Sequence, residues 1–369
     1  MTTAAQDIPW MQAALFQAQQ GIFSTAPNPR VGCVIVKGGE VIGQGFHVRA
    51  GEPHAEVHAL RQAGEKARGA TAYVSLEPCA HQGRTPPCAD ALIAAGIARV
   101  VVACRDPNPL VAGQGIARLQ AAGIDVTEGV CEEEAQALNS GFFRRITTGR
   151  PFVTVKLAAS LDGKTALANG ESQWITSEAA RADVHYHRLA ADAIIAGTGS
   201  IIRDNARLTA RYPTELPNQP PLRVIIDSRL RTPRDAAVFD DPSPILIVCG
   251  MDARAPNYPA HVEWMRLPLV SGRVPLPVLL DELGTRGVNN AFVEAGASLA
   301  GAFLEQNLAD EILLYLAPCL LGSGARELVQ LPPLQRLSDR MRARIDDCTP
   351  IGADLRLRLT PETPCSQAS

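Results

Sequence analysis

The sequence predicts an α/β protein built from two domains. Its 369 residues exceed the length that one hydrophobic core normally organises. From Thr71 onward, apolar runs typical of buried strands alternate with helical segments, which favours a partly parallel sheet with helices on both faces. A linker with few apolar residues, 146–151, precedes a new apolar strand that starts at Phe152. We therefore expect one domain at residues 1–148 and a second at residues 149–369.

Composition limits the classes of partner. The chain is 46% hydrophobic and 20% charged, and its net charge of −3 argues against a nucleic-acid surface. The first residues resemble no signal peptide, and no stretch reaches about eighteen uninterrupted apolar residues. Nine cysteines are an odd number and seven stand singly, which favours reduced thiols over a disulfide framework. We expect a cytoplasmic protein that binds neither nucleic acid nor membrane.

The elements of the first domain follow from hydrophobic periodicity and from turn residues. A helical period over residues 8–20 predicts a covering helix that stops at Gly21, and a double glycine at 38–39 predicts a hairpin. Pro53 fits the first turn of a helix that would carry His54 and Glu56. The further predicted elements are strands 31–36, 41–47, 71–76, 98–104 and 124–126, and helices 89–93, 115–122 and 131–145.

His54, Cys79 and Cys88 have the residue types of a catalytic zinc site. Such a site takes three protein ligands and leaves the fourth tetrahedral position to water. Two thiolates neutralise the dication, so the bound water needs a base beside it, and Glu56 lies two residues from His54. A thiol that opens a helix, as Cys88 would, has a lowered pKa and is ready to ligate. This His-x-Glu and Pro-Cys pattern is that of zinc deaminases, in which the glutamate transfers protons and is not a ligand.

Simpler explanations exist for each of these residues taken singly. A lone histidine or cysteine usually belongs to a core, a pair of cysteines can hold a structural zinc, and a glutamate near a histidine is often a solvated helix face. The combination of His-Ala-Glu, a strand, Pro-Cys and a second cysteine is more specific than any of its parts. A structural zinc, or no metal, remains the alternative.

The spacing of the two cysteines points to a particular family. Eight residues separate Cys79 from Cys88, whereas cytidine and tRNA adenosine deaminases have two. This insert, with its His, Gly-Arg-Thr and Pro-Pro, resembles the bifunctional deaminase/reductase family of riboflavin biosynthesis, RibD or RibG. The resemblance extends over nearly the whole chain. It implies a cytidine-deaminase-like three-layer domain, followed by a dihydrofolate-reductase-like domain that uses NADPH.

Six further residues are candidates for contact with the deaminase substrate. By resemblance, Asn28 in the turn before the hairpin would bind the sugar or the base edge of the substrate, although an asparagine there can simply cap its own turn. Polar residues at strand ends usually serve the site in such sheets. Arg84 suits a phosphate best, because a guanidinium matches oxyanions. The other candidates for holding a phosphorylated, ribosylated pyrimidine are His47, His81, Asp106 and Asn108.

The second half lacks a metal signature and a G-x-G-x-x-G motif, so it is not a standard dinucleotide-binding unit. Its segments 160–164, 170–176, 204–211 and 293–296 resemble the reductase half of the same family. A strand at 290–294, a tight turn and a helix at 298–306 would let the helix N-terminus hold a cofactor phosphate. The small residues of this turn could equally serve close packing of helix and strand.

The resemblance implies the reductase site residues one by one. The cofactor contacts would be Ala158, Trp174 and Ser200, with Gly296, Ala297, Ser298, Leu299, Ala300, Gly301 and Ala302 around its phosphates. The substrate contacts would be Ser172, Arg188, Leu208, Arg211 and Glu294, and Asp204 would lie between the two ligands. Lys156 and Asp204 are the ionisable groups nearest the expected chemistry.

The function implied is a two-step enzyme of riboflavin synthesis with zinc and NADPH as cofactors. A phosphorylated diaminopyrimidine would be deaminated first, and its ribosyl group would then be reduced to ribityl. We expect small phosphorylated pyrimidines as substrates and a homo-oligomer, a dimer or a tetramer. The alternatives are a nucleoside or tRNA deaminase with an appended domain, and a zinc-stapled protein that binds a nucleotide without turnover.

Overall fold

The structure is a computed structural model that describes residues 3–80, 86–109, 111–254 and 258–362. The chain forms two compact units. One comprises the chain up to Arg150 together with Thr214–Gln219, and the other comprises Pro151–Pro213 and the chain from Pro220 onward. Within the described residues, no helix is both long enough and apolar enough to span a membrane. The predicted sites at His81 and Arg84 lie outside the described residues.

The described residues of the first unit form a five-stranded sheet and six α-helices. Its helices are α1 (Thr3–Gln19), α2 (Ala55–Ala63), α3 (Cys88–Ala94), α4 (Gln114–Ala121), α5 (Glu132–Leu138) and α6 (Ser140–Thr148). Its strands are β1 (Gly32–Lys37), β2 (Glu40–Phe46), β3 (Thr71–Val74), β4 (Arg99–Val102) and β5 (Asp125–Glu128). A short 3-10 helix, Gly64–Ala67, continues α2.

The strand order in this sheet is β2-β1-β3-β4-β5. The β1 strand is antiparallel to β2 and β3, whereas β3, β4 and β5 are parallel. Both faces are buried: Ala72 and Val74 pack in one apolar cluster, and Tyr73 packs in another on the opposite face. Helices cover each face, as the alternation of strands and helices predicted. The carboxyl ends of the parallel strands therefore meet at one edge, where such sheets bind ligands.

Two details of the first unit differ from the sequence prediction. The closing helix is divided into α5 and α6 at Asn139, whose side chain accepts a hydrogen bond from the Arg30 backbone N–H and donates one to its carbonyl, at 2.8 and 2.9 Å. The helix at the expected zinc ligand begins at Ala55, so His54 is its N-cap and Pro53 precedes the first turn. In the cap position His54 has an extended backbone, while its carbonyl oxygen already accepts the first helical hydrogen bond, from the His58 N–H at 3.3 Å.

The second unit contains a nine-stranded sheet and a two-stranded one. Its helices are α7 (Glu178–Ala190), α8 (Thr198–Asp204), α9 (Leu276–Thr285) and α10 (Ala297–Glu305). Its strands are β6 (Phe152–Ser160), β7 (Lys164–Ala166), β8 (Ala193–Gly197), β9 (Leu222–Ile226), β10 (Ile245–Gly250), β11 (Val262–Leu267), β12 (Asn290–Glu294), β13 (Glu311–Ala317), β14 (Arg326–Glu327), β15 (Arg342–Ile351) and β16 (Asp354–Glu362).

The large sheet has the order β11-β10-β9-β8-β12-β6-β13-β16-β15. Its neighbouring strands are parallel except for two pairs at one end, β13 with β16 and β16 with β15. Alternate residues of β12 face opposite sides: Val293 packs with α9 and α10, and Phe292 packs with α7. This is the two-sided burial expected of parallel strands. The predicted strand that ends at Glu294 and the helix that follows it are both present, so Glu294 lies at the carboxyl end of a central strand.

Candidate active sites

The structure brings the three expected zinc ligands together. His54 Nδ1 lies 3.6 Å from Cys79 Sγ and 3.2 Å from Cys88 Sγ, and the three donor atoms lie within 4.8 Å of one another. A tetrahedral zinc with bonds of about 2.1 Å to nitrogen and about 2.3 Å to sulfur places such donors about 3.6 Å apart. The donor set therefore fits a zinc ion in both chemistry and spacing.

Each ligand is delivered by a different element. His54 caps α2, Cys79 lies in the loop after β3, and Cys88 is the first residue of α3. The α2 helix packs directly on β2 because Gly45 has no side chain: a Cβ there would lie 2.4 Å from the Cβ of His58 and 2.9 Å from the carbonyl oxygen of Ala55. The absence of a side chain at Gly45 thus allows the N-terminus of α2 to pack directly on the sheet.

The Cys79 sulfur is prepared for metal binding. Its pKa is lowered to about 4, first by a hydrogen bond from the Cys88 thiol and then by His54 and the Cys88 backbone N–H, the last at 3.4 Å. The thiolate is the form of cysteine that ligates metals. The pKa of Cys88 is instead raised well above its usual value, first by its hydrogen bond to Cys79 and then by burial, so the lowered pKa expected of a thiol that opens a helix is not found.

Glu56 lies in the first turn of α2 with 2% of its surface exposed. Burial raises the pKa of its carboxyl above the usual value. Among the residues that the structure describes, its Oε2 atom has no hydrogen-bond partner. A buried polar atom without a partner costs free energy, so this oxygen is suited to accept a proton or a hydrogen bond from a bound water.

A cavity of about 570 Å³ opens beside these residues. It is lined by His54, Cys79 and Glu56 together with four of the expected substrate residues. Those four are Asn28, His47, Asp106 and Asn108. The sequence reasoning missed several other lining residues, including Glu52, Leu76, Glu77, Val111, Phe142 and Ile146. Glu77 was recognisable in principle, because a carboxylate at the end of a buried strand must find hydrogen-bond donors.

His47 is more deeply buried than a direct substrate contact requires, at 2% exposure. Its Nδ1 lies 3.3 Å from the Pro53 carbonyl oxygen, which can only accept, so Nδ1 donates the hydrogen bond. Its Nε2 must then accept from Asn28 Nδ2 at 3.0 Å. Burial lowers the pKa of His47, consistent with this neutral form. The imidazole thereby fixes the orientation of the Asn28 amide at the cavity.

In the second unit, Lys156, Arg188 and Glu294 come together. Lys156 and Glu294 are register partners on β6 and β12, and the Arg188 guanidinium forms a bidentate ion pair with Glu294, with Nη2 to Oε2 at 2.8 Å. Burial lowers the pKa of Lys156. Burial alone would raise the pKa of Glu294, but Arg188 and Lys156 outweigh it and hold this pKa below the usual value.

His185 was missed by the sequence reasoning and joins two of the expected substrate residues. Its Nδ1 accepts from the Arg211 backbone N–H at 3.2 Å, and Arg188 Nη1 lies 3.5 Å from the same atom. Its only sequence signal is a position three residues before Arg188, on the same face of a helix. Leu208, in contrast, is 4% exposed and packs in an apolar cluster with Ile201.

The remaining expected cofactor residues vary in exposure. Trp174 is 67% exposed, with the Arg181 guanidinium 4.3 Å from its ring centroid. Ala158, Ser172 and Ser200 are partly buried, and Asp204 is exposed. Of the stretch Gly296 to Ala302, Ala300 and Gly301 are buried against the core, whereas Gly296 and Ser298 in the first turn are exposed. Only this first turn presents backbone N–H groups without helical partners.

Arg203 is a second residue that the sequence reasoning missed. Its Nη2 atom lies 3.3 Å from the position that a Cβ would take on Gly296, the N-cap of α10. The guanidinium therefore stands next to the exposed first turn of the helix. Its sequence signal is weak, because a basic residue in the last turn of α8 is equally explained by the helix dipole.

Comparison with known proteins agrees with both halves. Residues 4–104 match the cytidine and deoxycytidylate deaminase zinc-binding region, and residues 151–357 match the RibD C-terminal domain. The chain is 49% identical to the riboflavin biosynthesis protein RibD of Escherichia coli, over 96% of this chain and 99% of the relative. It is 44% identical to RibD of Haemophilus influenzae, over 97% of this chain and 98% of the relative.

Solved structures agree over the full length. Acinetobacter baumannii RibD matches with a TM-score of 0.90 at 45% identity, covering 98% of this chain and all of that one. A diaminohydroxyphosphoribosylaminopyrimidine deaminase/5-amino-6-(5-phosphoribosylamino)uracil reductase from Thermotoga maritima matches with a TM-score of 0.88 at 34% identity, covering 97% and 99%. The predicted fold class is confirmed: a cytidine-deaminase-like domain precedes a dihydrofolate-reductase-like domain. The chain belongs to the RibD family of riboflavin biosynthesis proteins.

Proposed function

We propose that this chain catalyses two successive reactions of riboflavin synthesis. The first unit hydrolyses the amino group of 2,5-diamino-6-(5-phosphoribosylamino)pyrimidin-4-one, and the second reduces 5-amino-6-(5-phosphoribosylamino)uracil with NADPH to 5-amino-6-(5-phosphoribitylamino)uracil. The observation that carries the first assignment is the triad His54, Cys79 and Cys88 beside the buried Glu56 in one cavity. The second is supported by the full-length similarity to the Thermotoga maritima deaminase/reductase.

In the deaminase site, His54, Cys79 and Cys88 would hold the zinc ion. Zinc bound there supplies a water whose pKa is lowered towards neutrality. Glu56 would accept a proton on Oε2 as the water adds and would release it to the departing amine. A C–O bond forms and the C–N bond breaks, so one water is consumed and one ammonia leaves. Burial prepares Glu56 for this role, because a raised pKa allows the same oxygen both to accept and to release the proton.

Residues around the cavity bind and orient the pyrimidine. Asn28 presents an amide that His47 holds in one orientation. Asp106 and Asn108, which follow the carboxyl end of β4, offer polar groups to the same cavity. His81 and Arg84 remain candidates for the phosphate, on chemistry alone. Phe142 and Ile146 add apolar surface to the cavity lining, which would limit water near the reacting carbon.

In the reductase site, NADPH supplies a hydride when bound. Arg188, paired with Glu294, and Arg211, whose Nη2 lies 3.3 Å from His185 Nε2, offer guanidinium groups to the phosphorylated ribosyl substrate. Lys156 is the group suited to transfer a proton as the opened sugar accepts the hydride, because burial lowers its pKa. Arg203 and the first turn of α10 are suited to the cofactor phosphates.

The assembly and location of the enzyme are part of the same proposal. A homo-oligomer is supported by large apolar residues that stand exposed in the second unit, among them Leu320, Leu334, Leu337 and Ile345. A cytoplasmic location is supported by eight described cysteines that are all free. The substrates we expect are small phosphorylated pyrimidines.

The test is an assay that follows both reactions in one sample. Ammonia release from the diaminopyrimidine should precede a fall in NADPH absorbance, and each should require its own substrate. Ammonia release from a nucleoside or tRNA instead would favour a different deaminase. Binding of the substrates without formation of either product would mean that the protein holds a structural zinc and binds a nucleotide without turnover, and would overturn the proposal.

A further inference from the structure

Glu77 is a buried carboxylate that the two proposed reactions do not use. It is 4% exposed and accepts four hydrogen bonds from backbone N–H groups. Its Oε1 accepts from Gly115 at 2.9 Å and Ile116 at 3.3 Å, and its Oε2 accepts from Gly113 at 2.9 Å and Asp106 at 3.3 Å. Four backbone donors on one buried carboxylate form a strong, directional anchor.

The four donors belong to the segment that borders the substrate cavity. Gly115 and Ile116 lie in the first turn of α4, where backbone N–H groups have no helical partner and a negative charge is favoured. Asp106 lies in the loop that leads from β4 to α4, and this loop also places Asn108 at the cavity. A single side chain therefore fixes both ends of the loop that carries two expected substrate residues.

Glu77 is also two residues from Cys79, and the packing around that stretch is close. A Cβ on Gly115 would lie 1.8 Å from the carbonyl oxygen of Pro78, so α4 sits directly against the chain beside the zinc ligand. Arg118 on α4 donates to the Ala80 carbonyl at 3.0 Å. The helix thus contacts the residues on both sides of Cys79.

We propose that Glu77 is a positioning residue that sets the place of the substrate loop relative to the zinc ligands. The inference rests on the proposed deaminase function. Its chemical content is that the carboxylate holds the loop with Asp106 and Asn108 at the cavity, so that both residues can bind the pyrimidine. A displaced loop would weaken substrate binding.

The test compares Glu77→Gln with the wild-type enzyme. The amide has nearly the same shape, but its NH₂ group would face two N–H donors, so two of the four hydrogen bonds are lost. We expect KM for the diaminopyrimidine to rise about tenfold with kcat changed less than about threefold, the pattern of lost substrate binding. Zinc should stay at one per chain, and the pair of amides left facing the NH₂ group, either Gly115 with Ile116 or Gly113 with Asp106, should exchange hydrogen faster.

A matched control is Glu128→Gln. Glu128 pairs with Arg105 at 2.6 Å on the exposed side of the same loop, so it tests a carboxylate that touches the loop without holding it from inside. We expect its KM and kcat to match the wild type, because exposed ion pairs contribute little. The thermal unfolding transition of each variant reports whether the first unit is folded, which reduction by the second unit would not show.

The outcomes are separable. Unchanged KM in Glu77→Gln, or loss of zinc, or a fall in kcat at constant KM, would overturn the inference, since Glu77 would then act elsewhere or only on the metal ligand. If Glu77→Gln does not accumulate folded, Glu77→Asp keeps the charge one methylene shorter and should raise KM, while an unchanged KM would overturn the inference. If the wild-type enzyme itself releases no ammonia from the pyrimidine, the proposed function fails instead.

Discussion

Glu56→Gln is the substitution that separates proton transfer from every other property of the deaminase site. Glu56 is 2% exposed, and glutamine has nearly the same volume, so no cavity is formed. Within the described part of the chain Oε2 has no hydrogen-bond partner, so replacing it by an amide nitrogen removes no bond there. We therefore expect the free energy of unfolding to change by no more than about 1 kcal/mol.

The expected effect on catalysis is much larger. Proton transfer by a positioned side chain contributes about 10²- to 10⁴-fold, which is about 2.7–5.4 kcal/mol of barrier at 1.36 kcal/mol per tenfold. We expect kcat for ammonia release to fall by this factor, with zinc content unchanged because the amide is not one of the three ligands. The assay is ammonia release at saturating substrate, with zinc measured on the same sample.

Glu52→Gln is the matched control, because Glu52 lines the same cavity and is also two residues from His54, but is exposed. It should keep near wild-type ammonia release. Near wild-type activity in Glu56→Gln, or equal losses in the two variants, would refute the role of Glu56 as the proton carrier.

Three further predictions follow from separate features. Cys88→Ser should lose most of its zinc by metal analysis, because only two strong ligands remain; unchanged zinc would contradict the ligand assignment. Gly296→Val should raise KM for NADPH about tenfold without changing ammonia release, because a side chain there meets Arg203 at the α10 N-terminus; equal loss of both activities in folded protein would argue against separate sites. Asp7→Asn should lower the free energy of unfolding by about 3 kcal/mol at pH 7, since Asp7 pairs with Arg99 at 2.8 Å. Burial raises the pKa of Asp7, but the hydrogen bonds and charge of Arg99 and Tyr73 together outweigh it, so this pKa is lowered in the folded protein. The stabilisation from Asp7 is therefore lost as the pH falls below about 4, and the difference between the two proteins should shrink there. A difference that stays the same at every pH in urea titrations would contradict this.

The zinc triad and Glu56 were within reach of the sequence because local elements place them. His54 lies at a helix start, Cys79 follows a strand, and Cys88 is the first residue of a helix. Each of these positions has a sequence signal within a few residues, and the strand order brings the three side chains to one edge of the sheet. The strand and turn at Glu294 and Gly296 were legible for the same reason.

Other features depend on partners far apart in the chain. The break between α5 and α6 is made by Asn139 with Arg30, 109 residues away, so helical periodicity could not reveal it. Glu77 finds its donors 29 to 39 residues later. The proximity of Arg203 to Gly296 joins two helices that no local signal connects. The residues missed by sequence reasoning are thus those whose role arises from tertiary contacts.

The central claim is that this chain holds a zinc-dependent deaminase and a separate NADPH-dependent reductase. The most direct measurement removes zinc from the purified full-length protein with a chelator and follows both reactions. We predict that ammonia release is lost and returns on adding zinc, while NADPH oxidation with the deaminated substrate continues at the original rate. Ammonia release that persists without zinc, or NADPH oxidation that disappears with it, would contradict the account.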